Sequence, residues 1–123
     1  MGMARTSAKS VDKDMRAISI RQPYVEAILR GFKKFEYRSR ATKIRGRVYL
    51  YASKGPGAEE SWAKLKLQPG DLPTGVIVGT VDIVDCKYFA DDDVYGYVLR
   101  NPKRFRSAIK PKHYPQPCWF FPF

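Results

Sequence analysis

The sequence predicts a small α+β domain of mainly β character, a mixed β-barrel with a few short helices, and three observations support this class. Short runs rich in β-branched and aromatic residues recur along the chain, with Gly and Pro clusters between them. Only two helical patterns of about two turns each interrupt these runs. The length of 123 residues fits one domain whose core needs no disulfide or metal.

Strands and helices alternate in the first half of the chain. The patterns predict a strand at 17–20, a helix at 24–30, strands at 33–38 and 46–53, and a helix at 58–66. The first helix follows Pro23, a residue tolerated at helix starts, and Gly31 stands where a helix stop belongs. In the second strand, alternation sets Phe35 and Tyr37 on one side.

The second half is predicted to be mostly strand. Residues 76–86 form the strongest strand pattern, and Gly79 within it indicates a bulge or bend that curls a sheet into a barrel. We expect a turn at 91–93, separate strands at 97–99 and around Phe105 and Ile109, and a last strand within 119–123. Residues 1–14 are predicted to be a flexible tail before a domain at 15–123.

The net charge of +11 is a second informative feature, from 23 Lys and Arg against 12 Asp and Glu. Residues 1–47 carry +9, residues 48–99 carry −4 and residues 100–123 carry +6. A basic domain of this kind usually binds phosphates, and a barrel that brings both ends together would concentrate the charge. The competing interpretation is a cation-rich surface without a specific partner. A membrane partner is not expected, because no basic amphipathic helix with a broad apolar face is present.

Cysteine and histidine usage argues against a metal site. Cys86 and Cys118 match no zinc spacing, and His113 is the single histidine. Each Cys is expected to be a reduced, buried thiol. The N-terminus has no apolar stretch of the signal-peptide kind, and no run of about 18 apolar residues occurs. These features predict a cytoplasmic protein without a cofactor.

Basic and aromatic residues mix between positions 21 and 54. Eight basic residues lie from Arg30 to Arg47 and only Glu36 opposes them, a density that favours phosphate neutralisation. Four tyrosines are interleaved or nearby: Tyr24, Tyr37, Tyr49 and Tyr51. Unstacked bases need such aromatic faces. For each tyrosine taken singly, packing in the barrel core is the favoured interpretation.

Several separated motifs resemble the ASCH domain family. Residues 18–24, Ile-Ser-Ile-Arg-Gln-Pro-Tyr, precede a match to the family's Gly-x-Lys-x-x-Glu-x-Arg motif at Gly31, Lys33, Glu36 and Arg38. Residues 51–54 and 75–81 resemble the family's core strands, and residues 97–105 are similar to its Leu-x-Asn-Pro-Arg-Arg segment. The resemblance covers about residues 16–123, with the motifs in the family's order.

This resemblance implies a PUA-like fold, with a cleft beside the first helix, that binds RNA. Some family members are hydrolases of RNA or of acylated nucleosides. The members that act as amidohydrolases on acylated cytidine carry a Lys-x-x-Thr arrangement, in which Thr is the proposed nucleophile. Here Glu36 stands at the Thr position after Lys33, and this departure argues against amidohydrolase activity.

The residues themselves leave two roles open for Glu36 and Arg38. Two positions apart on a strand, they share a face and would form an ion pair that lines the cleft. The pair could stiffen the strand, or it could read a base, because Glu accepts from amino groups and Arg donates to carbonyls. Lys33 would face the other side of a regular strand and would reach Glu36 only if the segment is irregular.

We therefore hold one main hypothesis and two alternatives. The first is a module that binds RNA or single-stranded DNA, with binding residues Arg21, Tyr24, Lys33, Lys34, Glu36, Arg38, Arg40, Lys43 and Lys54. The second is a ribonuclease in the same cleft, with Tyr37 as proton carrier, Lys43 as oxyanion stabiliser and Ser53 as candidate nucleophile, and with room for a divalent metal. The third is an interaction domain for an acidic protein. The oligomeric state stays open.

Overall fold

The strands form one curled sheet. The computed structural model describes residues 11–115 and 118–123. Its elements are β1 (Ala17–Arg21), α1 (Tyr24–Leu29), β2 (Phe35–Arg38), β3 (Gly46–Ser53), α2 (Glu59–Lys64), β4 (Val76–Phe89), β5 (Val94–Ile109) and β6 (Trp119–Phe120). The sheet has the order β2-β5-β4-β3-β1-β6 and curls into a half-barrel. Strands β1 and β3 are parallel and the other pairs are antiparallel. The predicted mainly β class is confirmed.

Hydrophobic residues cover both faces of the sheet at β3. Along β3, Leu50 and its alternating neighbours pack against α1 in the main core, whereas Tyr49 and Tyr51 face a second cluster around Phe120. Both faces of β3 are therefore buried, which explains its near-continuous apolar sequence. The favoured core assignment holds for Tyr49 and Tyr51, each 3% exposed.

The prediction of separate strands at 97–99 and near 105–109 was wrong, because β5 is one strand of 16 residues. The register of its pairing with β4 shifts at Asn101 and Pro102, so neither residue is paired with a residue of β4. The missing N–H of Pro102 therefore removes no hydrogen bond between the two strands. A second shift lies at Gly79, as predicted. A Cβ there would collide with the carbonyl oxygen of Lys103, so the close approach of the two strands requires glycine.

Most of the predicted N-terminal tail, residues 1–10, lies outside the described residues. The rest of that segment contacts the sheet: the Asp12 N–H donates a hydrogen bond to the Tyr49 hydroxyl at 2.7 Å. The domain boundary near residue 15 stays a prediction. Within the described ranges, no helix combines the length and the apolar character needed to cross a membrane.

A buried carboxylate ties α1 to β5. Glu26, 5% exposed, accepts hydrogen bonds from Arg104 Nη1 and Nη2 at 2.8 and 2.9 Å and from Arg30 Nε at 2.7 Å. The bonds from Arg104, together with those from Arg30, hold the pKa of Glu26 below its ordinary value of 4.5 despite burial. A carboxylate whose pKa is lower in the folded than in the unfolded state stabilises the fold. The stabilisation is complete at pH values above the ordinary pKa, and it is lost as the pH falls through the pKa of the folded state.

Glu26→Gln is expected to lower the free energy of unfolding at neutral pH by about 1–2 kcal/mol, because charge-assisted bonds become neutral ones. The difference from wild type should shrink below pH 4.5 as the native carboxylate takes up its proton. Urea unfolding followed by Trp fluorescence over a pH series measures both effects. Glu60→Gln, at an exposed carboxylate, is the control. If the loss of stability in Glu26→Gln did not change with pH, the role of the Glu26 carboxylate would be contradicted.

Candidate functional site

Three large open clefts adjoin the segment from Lys33 to Arg40, besides a small one of about 80 Å³ next to Lys33 and Lys34. The first cleft, of about 650 Å³, lies among α1, α2 and β2 and is lined mainly by Tyr24, Phe32, Lys33, Lys34, Tyr37 and Lys64. The second, of about 560 Å³, is lined mainly by Ser19, Arg21, Tyr24, Glu36, Arg38 and Ser53. The third, of about 590 Å³, is lined mainly by Arg38, Arg40, Tyr97, Cys118 and Trp119. Tyr24 therefore belongs to the first two clefts and Arg38 to the last two.

Positive charge dominates these linings. The charged residues that line the three clefts are Arg21, Lys33, Lys34, Arg38, Arg40, Lys64 and Glu36. Six cations thus face one carboxylate, and that carboxylate is already paired. An anionic ligand that enters the clefts therefore gains from the local field.

Glu36 is the acceptor at the centre of the site. It is 7% exposed on β2, and its Oε2 accepts a hydrogen bond from Arg38 Nε at 2.8 Å. Lys33 Nζ lies 3.6 Å from Glu36 Oε1. Lys33 reaches Glu36 because β2 begins only at Phe35, so Lys33 precedes the regular strand and the alternation rule does not apply to it.

Arg38 connects opposite edges of the sheet. Strand β2 forms one edge and β6 the other, next to β1. Arg38 Nη1 donates to Cys118 Sγ, just before β6, at 2.8 Å, and Arg38 Nη2 donates to the Ser19 carbonyl of β1 at 2.7 Å. Burial raises the pKa of the Cys118 thiol, which keeps it protonated at neutral pH. The Glu36–Arg38 pair thus has the structural role that the sequence left open, while both residues still line the second cleft.

Lys33 lies near two aromatic faces. Its ammonium is 5.6 Å from the centroid of the Tyr24 ring and 5.1 Å from that of Tyr37. Both distances are within the range of a cation–π interaction. The Tyr37 ring also contacts Phe35 and Phe89, although it remains 49% exposed. The first cleft therefore has an aromatic wall with a fixed positive charge in it.

Contacts with α2 and the segment before it fix Tyr24. Its hydroxyl accepts from the Ala58 N–H at 3.1 Å and lies 3.4 Å from Ser61 Oγ. The hydrogen bond from Ser61, followed by that from Ala58, lowers the pKa of Tyr24. Gly57 packs against the ring so closely that a Cβ would collide with it. This contact orients the ring that separates the first cleft from the second.

Seven of the nine predicted binding residues line the three clefts: Arg21, Tyr24, Lys33, Lys34, Glu36, Arg38 and Arg40. Lys43 and Lys54 are exposed and do not line them. The Lys54 chain instead lies beside Gly75.

The three candidate ribonuclease residues are not gathered in one cleft. Tyr37 lines the first cleft, Ser53 lines the second, and Lys43 lines neither these nor the third. Among the described residues, no group of three or more His, Cys, Asp or Glu side chains is placed to hold a metal ion.

The C-terminal region contributes to the site in an unexpected way. Its basic residues do not line the three clefts, and Arg104 instead pairs with Glu26. Cys118 and Trp119 line the third cleft in their place. The sequence predicted a buried thiol for Cys118 and a last strand that includes Trp119, and only their proximity to Arg38 in the fold reveals the cleft. Lys64 and Phe32 were also not among the predicted binding residues. The signals for them were that Lys64 is a cation in a predicted short helix and that Phe32 is an aromatic residue beside Lys33.

Comparison with known proteins agrees with the observed fold. The model of the ASCH domain family matches residues 18–104. Activating signal cointegrator 1 from Homo sapiens and from Mus musculus are 27% and 29% identical over 109 residues. The match covers 70% of this chain, and the chain spans only 19% of the length of each relative. The crystal structure of ASCH from Zymomonas mobilis superposes with a TM-score of 0.60 at 14% identity, covering 89% of this chain and 88% of that one.

Arg38→Ala is expected to lower the free energy of unfolding by about 3 kcal/mol, because the buried Glu36 carboxylate loses its closest partner and the two sheet edges lose their link. Arg38→Lys should restore little of this loss, since one ammonium cannot occupy the three donor positions. Arg40→Ala, an exposed neighbour, should stay within about 0.5 kcal/mol of wild type. Chemical denaturation measures the free energy of unfolding of all three variants. If Arg38→Ala left that free energy nearly unchanged, the bridging role would be ruled out.

Proposed function

The chain belongs to the ASCH domain family, and on that premise we propose that it binds RNA through the first and second clefts. One observation carries the proposal: the Lys33 ammonium lies near the Tyr24 and Tyr37 rings in a cleft that also holds Lys34 and Lys64. Unpaired nucleotides bind to cations next to exposed aromatic faces. The cations hold the phosphates, and the bases stack on the aromatic faces.

Exposed cations would hold the phosphates. Lys34 and Lys64 are exposed in the first cleft and Arg21 is exposed in the second. Lys34 can give its ammonium to a ligand at no cost to the fold, because its contribution to the sheet is the backbone carbonyl that accepts from Leu99 N–H at 2.9 Å. Neutralising phosphates in this way releases counterions and makes binding depend on salt.

Exposed rings would hold the bases. Phe32 is 68% exposed and Tyr37 is 49% exposed, and both line the first cleft. Contacts with Phe35 and Phe89 hold the Tyr37 ring in place, so little side-chain entropy remains to be lost when a base stacks on it. Such stacking tolerates any base, since every base has a π face.

Polar groups in the second cleft would contact base edges. Glu36 Oε1 pairs with the Lys33 ammonium at 3.6 Å and accepts no hydrogen bond from the described residues, so it can accept one from an amino group. Arg38 has committed three N–H groups to Glu36, Cys118 and Ser19, and its main contribution is to hold Glu36 in position.

RNA binding is expected to weaken steeply with salt, and Lys34→Ala should reduce the slope of log K against log salt by about 0.7, the value for one phosphate contact on a single strand. Fluorescence anisotropy of a labelled RNA over a salt series measures both effects. Lys110→Ala is the matched control, because Lys110 is exposed and lines none of the three clefts.

A salt-independent affinity, or equal losses in Lys34→Ala and Lys110→Ala, would contradict the proposed site. Competition with unlabelled single-stranded DNA shows whether the chain binds RNA or DNA more tightly. The RNA is also analysed on a gel after incubation. Cleavage that survives purification and disappears in Lys43→Ala would establish the ribonuclease hypothesis instead.

Tyr37→Ala is expected to reduce RNA affinity by at least about five-fold through lost base stacking, a contribution of about 1–3 kcal/mol per base. Tyr37→Phe retains the ring and should bind like wild type. Anisotropy titrations at one salt concentration provide the comparison, with circular dichroism to confirm that both variants are folded. An affinity loss in Tyr37→Phe as large as that in Tyr37→Ala would mean that the hydroxyl, and not the ring face, contacts the ligand.

A further inference from the structure

We propose that the three clefts form one continuous track for a single strand of RNA, about three nucleotides or longer, and are not a pocket for one nucleotide. The proposal rests on the proposed RNA binding and specifies its ligand. The track consists of the three clefts as defined above, and it runs from Lys64 at one end, past Tyr24 and Arg38, to Arg40 at the other.

Shared walls make the track continuous. Tyr24 lines both the first and the second cleft, and Arg38 lines both the second and the third. Each cleft therefore shares a lining side chain with the next. Each of the three is open to solvent, and the proposed strand would pass from one to the next at Tyr24 and at Arg38.

Each cleft offers the same two kinds of contact. The first combines Tyr37 and Phe32 with lysines, and the second combines Tyr24 with Arg21. The third combines Trp119 with Arg40. Each volume, about 560–650 Å³, is of the size that holds one small ligand. A repeated pairing of an aromatic face with cations is what successive nucleotides of one strand would occupy.

The third cleft is the least expected part of the track. The Trp119 ring stacks on Tyr97, with centroids 6.4 Å apart and planes 19° apart, and it remains partly exposed while Tyr97 is buried. The Tyr97 hydroxyl donates to the Arg40 carbonyl at 2.7 Å, which fixes the backbone of Arg40 and leaves its side chain at the cleft. A base can thus stack near Trp119 while Arg40 contacts its phosphate.

The aromatic contacts select a single strand. Bases in a duplex stack on each other and do not present their faces to a protein. A duplex could use the cations alone, with affinity that does not depend on Tyr37 or Trp119. The track therefore predicts binding that increases with strand length and that a complementary strand suppresses.

The experiment measures affinity against length. Labelled oligouridylates from a mononucleotide to about nine nucleotides are titrated with the full chain by anisotropy. Affinity should rise steeply to about three or four nucleotides and then level off. Arg40→Ala should weaken binding of the longest oligomer about five- to ten-fold and leave the dinucleotide within about two-fold, because a dinucleotide can occupy the other clefts.

Arg45→Ala is the matched control, since Arg45 is exposed in the same loop and its Nη1 donates to the Thr42 and Ile44 carbonyls. It should bind every length like wild type. Equal affinity for the mononucleotide and the longest oligomer, or no effect of Arg40→Ala on the longest, would overturn the track and leave RNA binding intact. Tight binding of a duplex would also overturn it. Absence of binding at any length would refute the proposed function itself.

Discussion

The guanidinium of Arg38 is the contact on which the geometry of this domain depends. A sheet that curls only part of the way round leaves two edges facing each other, and here β2 and β6 are those edges. Arg38 links them with one donor to its own strand at Glu36 and two donors across the gap to Cys118 and Ser19. Because the same side chain lines two clefts, the residue that joins the edges is also part of the candidate site.

The four motif positions that identify the family each have a separate physical task. Gly31 adopts φ +82°, a conformation that lets the chain leave α1 and turn toward β2. Lys33 lies near two aromatic rings and close to the carboxylate of Glu36. Glu36 is the buried acceptor that positions Arg38. The motif thus combines a special backbone conformation, charge and hydrogen bonding within eight residues, and three of its four motif positions, Lys33, Glu36 and Arg38, line the clefts.

Local patterns predicted much of this fold, and contacts distant in sequence account for what they missed. The strand at 46–53 and the stop at Gly31 follow from residue preferences that act over a few positions. The site needed more information: Arg38 and Cys118 are 80 positions apart, and nothing near either residue indicates the other. Lys33 and Glu36 converge because β2 starts two residues later than alternation suggested. The strand β5 continues through Pro102 because a register shift with β4 removes the need for its N–H.

The short edges of the sheet have a consequence for the behaviour of the chain at high concentration. Exposed strand edges template the addition of further strands, and exposed aromatic residues strengthen such pairing. Here β2 offers four residues and β6 only two, and the side chain of Arg38 bridges the gap between them. An incoming strand would find few backbone partners at either β2 or β6. The rings of Phe32 and Tyr37 can therefore stay in solvent beside β2 without that edge recruiting a neighbouring strand.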